Sequence, residues 1–245
     1  MGINLSNAIV ISCNDGENAN GSYRDKLKVL LTSLSINSDS IPVILELINF
    51  KEGDDAYFAS LHPSITVKMV TVNGSDEEVT YYAERNKAKM LSTYIHEKTG
   101  LLWLDTDIIV RKPLRIFFSD MHDEVPKFKV WCRFNCDSPN VKFNTGVVAV
   151  NQSEKTIKFL EDWNAKTMAY YKNWYSSQIA LWDVYQDMDK KIDLINLSLE
   201  YRDTGAPSGK FKERSFLWHS NTVRHNNPEH LKEFNEYLDI ANKKR

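Results

Sequence analysis

Residues 101–110, LLWLDTDIIV, decide the fold, because two acidic side chains interrupt a largely apolar run. A short apolar run of this length predicts a buried β-strand. Alternate residues of a strand project to the same face, so the side chains of Asp105 and Asp107 are expected to stand together. Two carboxylates about 4 Å apart repel by roughly 4 kcal/mol at an effective dielectric near 20. Such a pair is expected to share a proton or to bind a cation.

Two interpretations of this acidic pair remain open. The first is a metal site, because carboxylate oxygens suit Mg²⁺ or Mn²⁺, ions that can bridge carboxylates to a diphosphate. The second is a pair of solvated turn residues at the end of a strand. Apolar residues on both sides of the pair favour the metal site.

The flanking sequence alternates between strand and helix patterns. The first half predicts strands over residues 8–12, 41–50 and 64–72, with helices from Ser22, over 54–61 and over 79–98. The second half predicts strands over 129–134, 142–151, 192–197 and 215–218, with helices from Ser153, over 175–188 and from Pro228. In the last helix, Leu231, Phe234 and Leu238 are expected to face inward. This order predicts an α/β fold with a mostly parallel, mixed sheet flanked by helices.

Length and composition predict one domain over residues 1–245, since no linker or repeat divides the chain of 245 residues. A net charge of −2 gives no reason to expect nucleic acid or an anionic membrane as a partner. No apolar run approaches the roughly 20 residues of a membrane-spanning helix.

The three cysteines, Cys13, Cys132 and Cys136, predict a reducing compartment, because their number is odd and no paired framework is visible. We therefore expect a cytoplasmic protein. Cys132 and Cys136 would be half of a metal site, but no second pair completes it, so buried thiols are the favoured interpretation.

Five segments, in this order along the chain, resemble those of A-type (GT-A fold) glycosyltransferases. They are closest to family 8, which includes glycogenin and a lipopolysaccharide galactosyltransferase. The segments are ISCND (residues 11–15), WLDTDIIV (103–110), FNTGVVAVN (143–151), SSQIAL (176–181) and FLWHSN (216–221). The resemblance implies a nucleotide-diphospho-sugar transferase domain, a UDP-sugar donor, Mn²⁺ or Mg²⁺, and hexosyl transfer with retention of configuration. It also implies that about residues 1–110 form a nucleotide-binding half and about residues 111–245 a sugar and acceptor half. It leaves the acceptor and the donor sugar open.

The resemblance also implies roles for individual residues. Asp107 is the principal metal ligand, Asp105 is shared between metal and ribose, and His219 completes the protein ligands. Gln178 lies beside the reacting sugar carbon, where a neutral amide could stabilise positive charge. The remaining donor-binding candidates are Ile11, Cys13, Asn14, Asp15, Arg85, Lys89, Thr106, Asn144, Gly146 and His225. Several candidates have an ordinary alternative: turn chemistry for Asn14 and Asp15, a core histidine for His219, and a solvated helix face for Arg85 and Lys89.

The sequence departs from the family pattern at two places. Ser177 stands where the family has an acidic residue before the glutamine. At the last motif, Thr222 and His225 replace the expected glycine and lysine, so a diphosphate contact must be lost, or made by His225 or Arg224. Residues 203–214, DTGAPSGKFKER, are expected to form either a mobile lid over the donor or an ordinary exposed loop, and the sequence leaves both open.

Two other functions compete with sugar transfer. A haloacid-dehalogenase-type phosphatase also carries two aspartates after an apolar strand, but its motif opens the domain and needs a later acidic pair with a glycine. The other is a nucleotide-sugar-binding module without catalysis, which would bind UDP and release no sugar.

Overall fold

A computed structural model describes residues 6–18, 21–119, 126–132, 138, 142–170, 175–187, 192–198, 215–219 and 228–244. The strands are β1 Ala8–Asn14, β2 Glu17–Asn18, β3 Gly21–Ser22, β4 Val43–Ile48, β5 Ile65–Val70, β6 Gly100–Leu104, β7 Ile108–Val110, β8 Lys127–Cys132, β9 Phe143–Asn151, β10 Asp193–Asn196 and β11 Leu217–His219. The helices are α1 Tyr23–Asn37, α2 Asp54–Ala59, α3 Asp76–Tyr94, α4 Glu154–Ala169, α5 Ser176–Asp187 and α6 Pro228–Asn242, with a 3₁₀ helix at Leu114–Phe118.

The chain divides into two compact units that interleave along the sequence. Unit 1 comprises Met1–Val10, Asn73–Leu104 and Ile116–Leu197. Unit 2 comprises Ile11–Val72, Asp105–Arg115 and Ser198–Arg245. Strand β1 begins in unit 1 and ends in unit 2. The single-domain organisation, with halves at 1–110 and 111–245, stays a prediction.

Unit 1 is built around a mixed group of strands. The first residues of β1 pair with β6 in parallel, with Ala8 opposite Leu101. Strand β9 runs antiparallel to both β6 and β8, and β10 pairs with β8 in parallel. Helices α3, α4 and α5 pack on one another in the same unit. The interior is apolar and aromatic, with Trp163 and Phe128 fully buried and their ring centroids 6.0 Å apart.

Unit 2 contains the end of β1 together with β4 and β5, which pair in parallel with Val43 opposite Ile65. The strands of the main sheet follow the order β10-β8-β9-β6-β1-β4-β5, and β7 and β11 form a separate antiparallel pair. Helices α1 and α6 pack against each other in this unit. The predicted α/β class, with a mostly parallel mixed sheet flanked by helices, is confirmed.

Side-chain caps explain where the helices begin. Ser22 accepts a hydrogen bond from the backbone N–H of Asp25 at the start of α1, as predicted. Ser153 accepts one from Thr156 at the start of α4. Helix α3 begins at Asp76, three residues before the predicted start, because Ser75 and Glu78 cap it reciprocally.

The segment at 101–110 differs from its prediction as one continuous strand. Strand β6 ends at Leu104, residues 105–107 form a turn, and β7 begins at Ile108 and pairs with β11 instead. The alternation of a strand therefore does not apply to Asp105 and Asp107. Apolar runs on both sides of a turn have the same sequence pattern as one buried strand, which explains the error.

Two smaller predictions also need correction. The segment containing Asn144 does not interrupt its strand: β9 continues through it, and only the register with β8 shifts, between Val130 and Trp131. In α6, Leu231 is exposed, whereas Phe234 and Leu238 pack against the cluster that contains Trp218. Within the described ranges, none of the helices is long and apolar enough to cross a membrane.

Candidate functional site

The acidic turn between β6 and β7 is the centre of the candidate site in unit 2. Asp105, Thr106 and Asp107 are all half-buried. Strand β11 pairs with β7 so that the backbone of His219 lies opposite that of Ile108. The sequence-predicted metal ligands Asp107 and His219 are therefore brought to neighbouring backbone positions, although the side chain of His219 lies outside the described part of the structure.

A small recess lies beside this turn. It is lined by Lys26 and Val29 of α1, by residues 106–109, and by His230 and Phe234 of α6. Its volume is about 10 Å³, roughly the space that one water molecule needs. It can therefore accept a water or an ion but not a nucleotide.

Lys26 places a positive charge beside the acidic turn. The residue is 4% exposed, and its Nζ lies 5.0 Å from the centre of the Tyr23 ring. Burial lowers the pKa of Lys26, and the negative charge of Asp107 acts in the opposite direction. Sequence reasoning missed this residue, although its position one turn before Leu30 on an apolar helix marks it as inward-facing.

The donor set at the turn suits a hard cation. Two carboxylates offer oxygen ligands, and a histidine follows on the paired strand. Among the residues that the structure describes, no three His, Cys, Asp or Glu side chains are already grouped to hold a metal. Of the three predicted protein ligands, the side chains of Asp105 and Asp107 are described and that of His219 is not.

The end of β1 carries the predicted nucleobase-binding residues. Ile11, Cys13 and Asn14 are buried in the strand, which continues two residues beyond its predicted end. Burial raises the pKa of the Cys13 thiol, so this cysteine is a protonated core residue. The backbone N–H of Asp15 donates to the carbonyl of Ile48 at 3.0 Å.

The carboxylate of Asp15 already has a strong partner. Arg24 of α1 donates to it at 2.9 Å and donates to Asp54 at 2.6 and 2.7 Å. The guanidinium carbon also lies 4.8 Å from the centre of the Phe50 ring. Arg24 therefore fixes the loop after β1, and the Asp15 carboxylate has a structural role whatever it binds.

Helix α3 of unit 1 carries the two predicted basic residues, Arg85 and Lys89. Arg85 is buried, and its Nε donates to the carbonyl of Tyr81 at 3.0 Å. Lys89 is exposed and donates to the hydroxyl of Tyr82 at 3.2 Å. Arg85 is therefore buried and Lys89 exposed, although the two are only four positions apart on one helix.

A third basic residue of α3, Lys87, is the one that reaches strand β9. It is 2% exposed, and its Nζ donates to Thr145 at 3.0 Å. Sequence reasoning missed it. The available signal was its spacing of three and four residues from Met90 and Leu91, which places it on the apolar side of the helix.

Thr145 links three elements of unit 1. Its hydroxyl lies 3.2 Å from that of Ser177 in α5, and Ser177 donates to the carboxylate of Glu84 in α3. The predicted sugar-facing residues flank these contacts in the chain: Asn144 and Gly146 beside Thr145, and half-buried Gln178 beside Ser177. The structure therefore brings these two sequence segments together, and their sugar-facing role stays a prediction.

Some predicted features lie outside the described residues. They are the lid at 203–214, Cys136, the departures from the family pattern at Thr222 and His225, and the alternative diphosphate contact Arg224. Cys132 is described: it is buried, and burial raises its pKa to about 12, which fits a structural thiol. The predicted roles of all the site residues stay predictions.

Comparison with known proteins finds matches to the fold but not to the sequence. The chain matches no protein-family model and no curated protein. Among solved structures, it is similar to the galactosyltransferase LgtC with a TM-score of 0.64 and 14% identity, covering 95% of each chain. It is similar to the bifunctional glycosyltransferase WbbM with a TM-score of 0.65 and 14% identity, covering 99% of this chain but 52% of that one.

A third similar structure is the glycosyltransferase GlyE of Streptococcus pneumoniae TIGR4. Its TM-score is 0.58 at 13% identity, over 96% of this chain and 65% of GlyE. The chain thus spans about half of WbbM and nearly all of LgtC. At these identities the comparisons establish the fold, which is the GT-A fold of glycosyltransferases.

Proposed function

We propose that this chain is a metal-dependent glycosyltransferase that moves a sugar from a nucleoside-diphosphate sugar to an acceptor. The observation that carries the proposal is the half-buried acidic turn at Asp105 and Asp107, directly after β6 in a GT-A fold. A phosphatase of the dehalogenase type is disfavoured, because its acidic motif follows the first strand of its domain. Here the turn follows the sixth.

Asp105, Asp107 and His219 would hold the metal, with Mn²⁺ or Mg²⁺ as the ion that suits two carboxylates and a neutral imidazole. When bound, the ion would neutralise charge on the departing nucleoside diphosphate. Asp105 would also bind the ribose, and Thr106 would contribute to the donor site. The sequence resemblance, rather than the geometry, supports UDP as the nucleotide and retention of configuration.

The remaining assignments follow the same resemblance. Residues 11–15 would bind the nucleobase, and Asn14 is the better candidate than Asp15 for a side-chain contact, because Arg24 holds the Asp15 carboxylate. Asn144 and Gly146 would line the sugar, and Gln178 would stabilise positive charge on its reacting carbon. Arg85, Lys89 and His225 are proposed diphosphate or donor contacts, and a cytoplasmic location stays part of the proposal.

The test is donor hydrolysis and transfer with a panel of UDP-sugars, in Mn²⁺ and in EDTA. We expect activity only with the metal, and Asp107→Asn should abolish it while the far-ultraviolet circular dichroism is unchanged. Asp162→Asn, which removes an exposed carboxylate of α4 paired with Lys158, is the matched control and should retain activity. Phosphate release from simple phosphomonoesters would instead support a phosphatase. UDP binding without sugar release in any condition would support a binding module.

A further inference from the structure

Lys26 and Asp107 line the same small recess in unit 2. Lys26 comes from the first turns of α1, and Asp107 from the turn between β6 and β7. The lysine is almost completely withdrawn from solvent, at 4% exposure. A buried ammonium is costly unless an anion compensates its charge, and the carboxylate whose charge acts on Lys26 is that of Asp107.

The neighbouring buried lysine of α1 shows a different arrangement. Lys28 is 5% exposed, and its Nζ pairs with Asp25 at 2.7 Å and lies 3.3 Å from Asn242. It does not line the recess beside the acidic turn. The two lysines therefore resemble each other in burial and share a helix, but of the two only Lys26 lines the recess with Asp107.

We propose that Lys26 is the built-in counter-cation of the acidic turn, and that it sets the affinity of Asp105 and Asp107 for a divalent metal ion. This inference rests on the proposed function, which assigns the metal to these carboxylates. With no metal bound, the ammonium compensates the negative charge of the turn. A divalent cation at the same oxygens is repelled by that ammonium, so Lys26 weakens metal binding.

The arrangement has a consequence for the order of binding. A nucleoside diphosphate adds negative charge at the turn, which offsets the repulsion between Lys26 and the metal. Metal and diphosphate should therefore bind cooperatively, and the coupling must be the same in both directions. Without Lys26 the metal should bind tightly by itself, and the cooperativity should decrease.

The test is a calorimetric titration of Mn²⁺ into the metal-free protein at pH 7.5, without donor or acceptor. We expect Lys26→Met to bind Mn²⁺ about tenfold more tightly than the unmodified protein, as removal of one nearby positive charge implies. Lys28→Met is the matched control and should leave the Mn²⁺ affinity within twofold. If Lys26→Met does not fold, Lys26→Gln takes its place, and Lys26→Arg should retain the weak affinity because it retains the charge.

An unchanged Mn²⁺ affinity in Lys26→Met, or in Lys26→Gln where that variant replaces it, would overturn the inference. So would an equal gain in Lys28→Met, or the absence of Mn²⁺ binding by every variant. A second titration with UDP present should show a smaller gain for Lys26→Met than the first. The proposed function can fail separately. A tenfold change in Mn²⁺ affinity without any sugar transfer would contradict the function and support the role of Lys26. Sugar transfer with equal Mn²⁺ affinities would support the function and contradict the role of Lys26.

Discussion

Lys87 donates a hydrogen bond to Thr145 at 3.0 Å and so joins the middle of α3 to strand β9. The ammonium also lies 5.5 Å from the centre of the Trp103 ring and 3.9 Å from Glu84. A charge at 2% exposure is retained in a core only with such compensation. The same contact holds the residue between Asn144 and Gly146, so stability and the predicted sugar-lining strand depend on one lysine.

Lys87→Met is expected to lower the free energy of unfolding by about 2 kcal/mol, the typical loss for a buried hydrogen bond to a charged group. Methionine keeps the apolar stem but leaves Thr145 and Glu84 without the ammonium. Lys89→Met, an exposed change two residues away on the same helix, should cost less than about 0.5 kcal/mol. Urea unfolding of both variants measures the difference, and equal losses would show that Lys87 has no special structural role.

Ser177 departs from the family pattern, and its contact with Glu84 explains why an acidic residue is not accommodated there. Ser177 is fully buried, and its hydroxyl donates a hydrogen bond to the Glu84 carboxylate. An aspartate at this position would place two carboxylates together, which costs roughly 4 kcal/mol at about 4 Å and an effective dielectric near 20.

Ser177→Asp is therefore expected to destabilise the protein strongly at neutral pH. The double variant Ser177→Asp, Glu84→Gln should recover most of that loss, because it removes the repulsion. Ser177→Ala should cost only about 1 kcal/mol, the net value of an ordinary hydrogen bond. Denaturant unfolding of the three variants tests the explanation, which is wrong if the double variant is no more stable than Ser177→Asp alone.

The parts of the fold that sequence predicts well are those with local causes. Ser22 and Ser153 cap the helices that follow them, and both caps were predictable from side-chain chemistry alone. The strand that ends at Leu104 was predicted too long, because the residues after the turn form a separate strand, β7, which pairs with the distant strand β11. Pairing between distant segments leaves no local pattern at the turn.

The candidate site shows the same division. The acidic turn and the segment around Asn144 could be selected from sequence, because their residue types and order are distinctive. Lys26 and Lys87 were missed although their spacing from apolar residues places them on the inward side of their helices, because a charged side chain in a helix is ordinarily solvated. Asp107, whose charge acts on Lys26, and Thr145, which accepts a hydrogen bond from Lys87, are both distant along the chain. Only the folded chain brings those partners close.

Asp54 is expected to stabilise the fold at neutral pH and to lose this effect in acid. The hydrogen bond from Arg24 lowers the pKa of Asp54, and the backbone N–H of Lys51 also donates to its carboxylate. A carboxyl group whose pKa is lowered by folding stabilises the fold fully at pH values above its pKa in the unfolded chain, about 3.9. The contribution is lost as the pH falls through its pKa in the folded chain. The difference in unfolding free energy between the unmodified protein and Asp54→Asn should be constant above about pH 5 and shrink below about pH 4. A constant difference down to pH 2 would contradict the Arg24 contact.

His62 is expected to make the stability depend on pH nearer neutrality. The imidazole is 3% exposed, and its Nδ1 accepts a hydrogen bond from the backbone N–H of Ser64 at 3.2 Å. Burial lowers the pKa of His62, with the charge of Lys244 acting in the same direction and that of Asp39 against it.

The unfolded chain takes up a proton at His62 near its ordinary pKa of about 6.5, whereas the folded chain does so only at lower pH. The unfolded state therefore binds more protons as the pH falls below about 6.5, so the stability is full above that pH and decreases beneath it. Between pH 7.5 and 5.5 the free energy of unfolding should fall on account of this residue, by at most about 1.4 kcal/mol, the limit reached when only the unfolded chain takes up the proton. His62→Gln should abolish that contribution, and His96→Gln, a change at an exposed histidine, should leave it intact. Chemical unfolding at the two pH values measures both variants. A loss that persists in His62→Gln, or that disappears in His96→Gln, would assign the pH dependence to another group.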